Sequence, residues 1–175
     1  EKEAAEAALK QAQAEIERLK AQQNQEEPKP EETLKVGDSV TSGNVKYRVT
    51  DAQKKLAEAY GVDSRKARTL KVAAAVTISG EKVSVTSIAA NAFKGMKKLE
   101  KVTIGTNVSK IGKNAFSGDS KLKSIQIKSK KLTSVGKGAL KNISAKAVIK
   151  VPKSKKKAYT SLLKGKGQKK SVKIK

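Results

Sequence analysis

Two nearly identical stretches decide the fold of this chain: VTSIAANAFKGMKKLEKVTI at residues 85–104 and VSKIGKNAFSGDSKLKSIQI at residues 108–127. The apolar positions of the first stretch recur 23 residues later in the second. A third, weaker copy follows after one inserted residue, at Leu132, Val135, Ala139, Leu140, Ile149 and Val151. A fixed period of about 20 to 29 residues is typical of a solenoid in which each coil contributes one strand.

The residue types within the repeat explain why it would coil. Residues 102–104, 125–127 and 149–151 each place a polar residue between two apolar ones, which indicates short strands with one buried face. Four glycines predict tight turns between the straight segments: Gly95, Gly105, Gly112 and Gly118. The few large apolar side chains of one coil bury too little surface to offset the entropy lost in ordering it. Neighbouring coils are therefore expected to stack.

The pattern I-x-x-x-A-F-x-G-x-x-x-L-x-x-V-x-I resembles the BspA-like leucine-rich repeat family of bacterial surface proteins. The segment AVIKVPKSKKKAYTSLLKGKG is similar to the C-terminal close of such arrays, and KVGDSVTSGNVKYRVTDA to their N-terminal lead-in. The resemblance covers residues 34–170. It implies a mainly β fold, a short leucine-rich-repeat solenoid with N- and C-terminal caps.

Shifts in composition predict five segments along the chain. They are a helical, coiled-coil-like segment at 1–23, a Pro/Glu linker at 24–33, an N-terminal cap with the first strands at 34–84, the repeats at 85–151 and a C-terminal cap at 152–175. The two prolines of the linker favour an extended chain and make this the clearest boundary.

The first segment carries apolar residues at the 4-3-4-3 spacing of a coiled-coil stripe: Ala5, Leu9, Ala12, Ile16 and Leu19. This spacing favours the end of a helical stalk that self-associates through the stripe. The alternative is a solvated helix that frays, since an isolated helix of this length is marginal.

The N-terminal cap is predicted from further alternation. Val45, Tyr47 and Val49 indicate a strand, and residues 70–78 supply more strand material before a hairpin turn at Ser79-Gly80. Residues 51–60 are ambiguous, because their propensity is helical while the resemblance implies a strand; the strand is favoured.

The C-terminal cap is predicted to begin after Pro152 with a short amphipathic helix. This helix would run over residues 155–164 around Ala158, Tyr159, Leu162 and Leu163. Residues 171–175 are either a final strand or the start of another module.

Composition excludes several classes of site. The chain has no cysteine and no histidine, so structural disulfides, zinc fingers and Ser-His-Asp triads are ruled out. The seven acids beyond residue 33 are scattered and indicate no carboxylate pair. The sequence therefore predicts no enzyme, with no catalytic residue, no metal site and no cofactor.

Targeting is not readable from this sequence. No apolar run approaches the roughly 20 residues of a membrane span, so none is predicted. No signal peptide is visible, and the sequence begins at Glu1 without a methionine, which indicates a piece of a longer protein.

The net charge is +24 and is unevenly placed. Residues 1–33 hold nine acids and five bases, and the rest of the chain holds seven acids and 35 bases. Such charge attracts polyanions or a negatively charged surface, or it simply keeps an extended scaffold soluble. A sequence-specific nucleic-acid partner is not expected, because the chain has only four arginines and no aromatic platform for stacking bases.

The outward positions of the repeat strands form the candidate binding face. They should line up across coils as a polar, basic ladder: Lys101, Thr103, Ser124, Gln126, Lys128 and Lys150. The resemblance implies an extracellular or cell-surface module that adheres to a host matrix or cell-surface protein. The alternative is a basic module that binds a cell-wall or other anionic polymer: teichoic acid, glycosaminoglycan or anionic lipid. The face could also be merely the solvated side of a sheet.

Overall fold

The computed structural model describes residues 2–23 and 33–175, which belong to two compact units divided between Glu32 and Thr33. The first unit contains one helix, α1 (Lys2–Gln23). Alanine, glutamate, lysine and glutamine dominate it, with no glycine or proline to interrupt it, so propensity favours the helix that the sequence predicts. The second unit is the repeat array.

The array is built from short strands joined by turns and irregular segments. Its strands are β1 (Ser39–Ser42), β2 (Val45–Asp51), β3 (Leu56–Val62), β4 (Thr69–Val72), β5 (Ala75–Ile78), β6 (Glu81–Ile88), β7 (Lys101–Ile104), β8 (Lys110–Ile111), β9 (Ser124–Ile127), β10 (Ser134–Val135), β11 (Val148–Lys150) and β12 (Lys173–Ile174). They form two sheets, which we call sheet A and sheet B. The mainly β solenoid predicted from the repeat is confirmed.

Sheet B contains one strand from each successive coil, in the order β12-β11-β9-β7-β4. All its pairs are parallel and without a register shift. Leu70 therefore pairs with Val102, Val102 with Ile125, and Ile125 with Ile149. This row of buried aliphatic residues joins neighbouring coils, which is why one coil alone would not be stable.

Sheet A runs along the other side of each coil and contains the N-terminal cap. Strands β3, β6, β8 and β10 pair in parallel. Strand β2 pairs antiparallel with β3, β1 pairs antiparallel with β2, and β5 forms a hairpin with β6. The ambiguous segment is a strand from Leu56 onward, preceded by a turn, so the favoured alternative is confirmed. The cap covers the apolar end of the first coil.

The core lies between the two sheets and is mostly aliphatic. Phe93 and Phe116, at equivalent places in successive coils, are both fully buried, with ring centroids 5.4 Å apart. Such tilted aromatic pairs contribute roughly 0.5–1.5 kcal/mol beyond the area they bury.

Two of the four repeat glycines are needed for a reason other than the predicted turn. Gly95 and Gly118 have positive φ angles of 78° and 84° and do sit in turns. Gly105 and Gly112 have no positive φ angle. A Cβ on Gly112 would lie 2.5 Å from the backbone nitrogen of Ala90 in the preceding coil. At these two places glycine lets the backbones of adjacent coils approach closely.

The C-terminal cap contains a 3-10 turn (Lys153–Lys155), helix α2 (Lys156–Leu163) and β12. Tyr159 and Leu163 of α2 are buried, and the Tyr159 hydroxyl donates to the Ser129 carbonyl at 3.0 Å. Ala158, expected on the packed face, is exposed, because it lies on the opposite side of this short helix from Leu163. Residues 173–174 form the strand that the first alternative predicts, and they pair with β11 as a fifth strand of sheet B.

Candidate binding face

Outward side chains of sheet B line up in two rows, because its strands pair in parallel without a shift. The paired positions are Lys101–Ser124–Val148 in one row and Thr103–Gln126–Lys150 in the other. Alternate residues of the same strands are buried in the core. We call this surface the sheet B face.

Five of the six predicted binding residues lie together on this face. They are two exposed lysines and three half-buried polar residues: Lys101, Lys150, Thr103, Ser124 and Gln126. Lys128 lies at its margin, one residue beyond the end of β9. The centre of the face is thus polar and uncharged, with lysines around it.

Sequence reasoning missed the outward residues at the two ends of the sheet. Thr69 and Lys71 of β4 pair with the two outward residues of β7, and Lys173 of β12 pairs with Val148. Strands β4 and β12 lie outside the Ala-Phe repeat, so the repeat could not assign them to the ladder. The available signal was the same apolar-polar-apolar alternation at residues 70–72.

A pocket of about 440 Å³ lies at the β4 end of the sheet B face. It is lined by Gly43, Asn44, Thr69, Leu70, Lys71, Lys101 and Thr103. Two of the predicted residues therefore line a concavity. Its two lysines and two threonines, with no acid among them, suit a carboxylate or another anionic group.

The wall of this pocket is the turn between β1 and β2, and side-chain hydrogen bonds hold it. The Asn44 side chain donates to the Ser64 carbonyl and accepts from the Ser64 N–H, both at 2.7 Å. Below, the buried Tyr47 hydroxyl accepts from the Ala73 N–H at 2.9 Å, which fixes the end of β4. Burial raises the pKa of Tyr47, so this hydroxyl stays neutral. The pocket is thus built on a fixed backbone.

Charge is distributed unequally along the array. Residues 101–175 contain 22 lysines and a single acid, Asp119. Every lysine in this half is exposed except Lys166, which is half-buried. Across residues 2–23 and 33–175, the acids that form ion pairs all lie between Asp51 and Glu100. Among the described residues, the lysines of residues 101–175 therefore form no ion pair with an acid.

Asp119 is a second feature that the sequence did not reveal. Its side chain is fully buried, and one carboxylate oxygen, Oδ1, accepts from the Met96 N–H at 2.7 Å. Burial raises the pKa of this carboxyl to about 7. The signal that could have found it is the repeat itself, since the equivalent positions in the other copies are apolar, Met96 and Ile143.

The arrangement offers hydrogen bonds and charge rather than a cluster of reactive groups. Within the described part of the chain, no group of three or more His, Cys, Asp and Glu side chains is placed to hold a metal ion. No helix among the described residues is both long and apolar enough to cross a membrane.

Comparison with known families identifies the same repeat. Residues 74–175, more than half of the chain, match the family model described as BspA type leucine rich repeat region, with six copies. No curated protein matches the chain by sequence.

Solved structures of bacterial leucine-rich repeat proteins share the fold. A protein from Bacteroides capillosus has a TM-score of 0.58 at 18% identity, with 79% of this chain and 99% of that one covered. A leucine rich cell surface protein from Faecalibacterium prausnitzii has a TM-score of 0.53 at 20% identity, over 66% of this chain. A protein from Bacteroides ovatus has a TM-score of 0.50 at 22% identity, over 63% of this chain.

The present chain covers only 37% of the Faecalibacterium protein and 36% of the Bacteroides ovatus protein. At such identities the likeness establishes the fold alone.

Proposed function

The chain belongs to the BspA-type leucine-rich repeat family, and from that premise we propose that it is a non-enzymatic adhesion module at a bacterial cell surface. Its sheet B face would contact a host matrix protein or a protein on another cell. The observation that carries this proposal is the pair of aligned rows of polar and basic side chains, which ends in a pocket. The cell-surface location is supported by the similarity to the Faecalibacterium protein, which is a leucine rich cell surface protein.

The size of the face sets what such a partner must do. Five strands of two to four residues, about 4.8 Å apart, give a flat area of at most roughly 19 by 13 Å. A standard interface buries about 800 Å² on each partner. The partner would therefore also contact the flanking turns and place a side chain in the pocket, where Lys71 and Lys101 favour an acidic group.

Two triple variants test whether the face itself binds. Lys101, Lys150 and Lys173 lie on the sheet B face, whereas Lys110, Lys113 and Lys137 lie on or beside sheet A. Changing either set to alanine removes three exposed lysines, so the two variants have the same net charge. For a protein partner such as fibrinogen or fibronectin, we expect the face variant to weaken binding at least tenfold and the control variant less than threefold. Equal weakening by both variants would contradict a specific face.

A second candidate function is favoured by the lysines of residues 101–175, which form no ion pair with an acid among residues 2–23 and 33–175. In this alternative, the module binds an anionic polymer such as teichoic acid or a glycosaminoglycan, or an anionic lipid surface, through charge alone. Because those lysines are found on both sheets, the turns and the C-terminal cap, such a partner would wrap around the array rather than fit one face. Binding should then fall steeply with salt.

The helix is the basis of a proposal about self-association. Leu9, Ile16 and Leu19 share the predicted stripe, and these residues are 62%, 51% and 56% exposed. Pairing with the helix of a second copy would bury them. Light scattering of the full chain tests this, and we expect the mass of a dimer. A weak pair with a Kd of about 100 μM would already form at that concentration. The mass of a monomer at all concentrations up to about 100 μM would therefore contradict the proposal.

A further inference from the structure

Asp119 is a buried acidic residue that does not belong to the sheet B face. It is the one charged side chain among the described residues that is fully buried, at 0% exposure. The positions equivalent to it in the preceding and following coils are Met96 and Ile143, both buried. A carboxyl group therefore occupies a place that the neighbouring coils fill with an apolar side chain.

The hydrogen bonds around Asp119 are only partly sufficient for a charged group. Oδ1 accepts from the Met96 N–H at 2.7 Å, while Oδ2 is buried without a hydrogen-bond partner. A neutral carboxyl can keep the bond to Oδ1 and avoids burying a full charge. Burial accordingly raises the pKa of Asp119 from 3.8 to about 7, despite the opposing effects of the Met96 and Gly95 N–H groups and of two nearby cations.

Those two cations, Lys97 and Arg65, are the charged groups that act on Asp119, and both are already engaged. The Lys97 ammonium donates to the Gly118 carbonyl at 3.0 Å, and the Arg65 guanidinium donates to the Lys94 carbonyl at 2.6 Å. Each of these bonds joins a turn of one coil to a neighbouring segment. Both hydrogen bonds are exposed, whereas the Asp119 carboxyl is buried.

We propose that Asp119 is a pH-sensitive latch between the turn at Lys94–Leu99 and the turn at Ser117–Leu122. While its carboxyl is neutral, the two turns stay closed over it. When the carboxyl ionises, it draws Lys97 or Arg65 away from its carbonyl partner, and the contact between the two coils loosens. The proposal concerns the stiffness of the array and does not depend on which partner the sheet B face binds.

The composition keeps other types of side chain from titrating in the same pH range. The chain has no histidine and no cysteine. No other side-chain type has an ordinary pKa between about 5 and 8. Because the folded chain holds the Asp119 proton more tightly than the unfolded chain does, the contribution of this group to stability is fully present below its unfolded pKa of 3.8 and is lost as the pH rises through about 7.

Thermal unfolding of the full chain at constant ionic strength tests the latch. For the wild type, we expect the Tm to fall by about 5–10 °C between pH 5 and pH 8. Asp119→Asn should abolish this dependence, while Asp63→Asn, at an exposed acid on the array, should behave like the wild type. A wild-type Tm that is constant or rises over this range would overturn the proposal.

Two measurements on the wild type keep the proposal testable even if the variant does not fold. A carbon-13 carboxyl titration by NMR should place the midpoint for Asp119 near pH 7, and a midpoint below about 5 would overturn the latch. Hydrogen exchange at the Met96 amide reports local opening. After correction for intrinsic base catalysis, its protection should be lower at pH 8 than at pH 6, and unchanged protection would overturn the latch.

Discussion

Residues 33–100 and residues 101–175 build the same kind of coil with different surfaces. The first half has six acids and 13 bases, and five of those acids form ion pairs. The second half has 22 lysines and one buried acid. Yet the buried row of sheet B continues from Leu70 to Ile149 without a change in register. The fold is therefore set by the interior, and the lysines are free to serve binding or solubility.

The two halves also differ in how their backbones are fixed. The first half has an antiparallel cap and side-chain hydrogen bonds such as those between Asn44 and Ser64. In the second half the short strands pair in parallel with those of neighbouring coils, and α2 closes the array. A pocket with a fixed wall is thus found at the β4 end of the sheet B face, whereas most of the lysines belong to the second half of the chain.

The largest expected effect is on stability, through the hydrophobic core that the two halves share. Phe93→Ala in the first half and Phe116→Ala in the second should each lower the free energy of unfolding by about 3–5 kcal/mol, because each removes a fully buried ring from the same stack. Urea unfolding measures both. A loss below about 1 kcal/mol for either, too small for a buried ring, would break the equivalence of the two coils.

An intermediate effect is expected on heparin binding, through the surface charge that distinguishes the two halves. Changing Lys155, Lys156 and Lys157 to glutamine should weaken heparin binding about tenfold, or about 1.4 kcal/mol, and should reduce its salt dependence. The same change at Lys46, Lys54 and Lys55, which are ion-paired in the first half, should weaken it less than threefold. Titration by calorimetry at two salt concentrations compares them. Equal losses would show that the uneven charge has no effect on polyanions.

The smallest effect concerns the ion pairs of the first half. Arg48 contacts Glu58 at 2.6 Å and lies over the Tyr60 ring, 5.1 Å from its centroid. Because this pair is partly exposed, Arg48→Gln should cost no more than about 1 kcal/mol, and less at high salt. The matched change in the second half, Lys150→Gln, should leave the Tm within error of the wild type. A larger cost at Lys150 would reveal a partner for that lysine.

The repeat predicted the interior of the array much better than its surface. Recurrence of Ile, Ala-Phe and Leu defines which residues stack, because a position that faces the core is filled by an apolar side chain in nearly every coil. It also predicted the alignment of Thr103 with Gln126 on the sheet B face, since alternation determines which residues point outward.

What the repeat did not predict arises from contacts outside its period. The pocket wall comes from a hairpin turn that has no equivalent in other coils, and its position depends on the Asn44 side chain. Gly112 was assigned to a turn because sequence does not reveal that the Ala90 backbone lies against it. Asp119 was counted among scattered acids because a charge is ordinarily exposed.

The most direct test of the account is the binding of the full chain to immobilised fibrinogen, fibronectin and heparin across a salt series. We expect saturable binding to at least one of the matrix proteins that persists above physiological salt, alongside heparin binding that disappears as salt rises. That result would mean a shaped site in addition to a charged surface. Binding to heparin alone, lost at moderate salt, would contradict the adhesion proposal and leave the polyanion-binding module in its place.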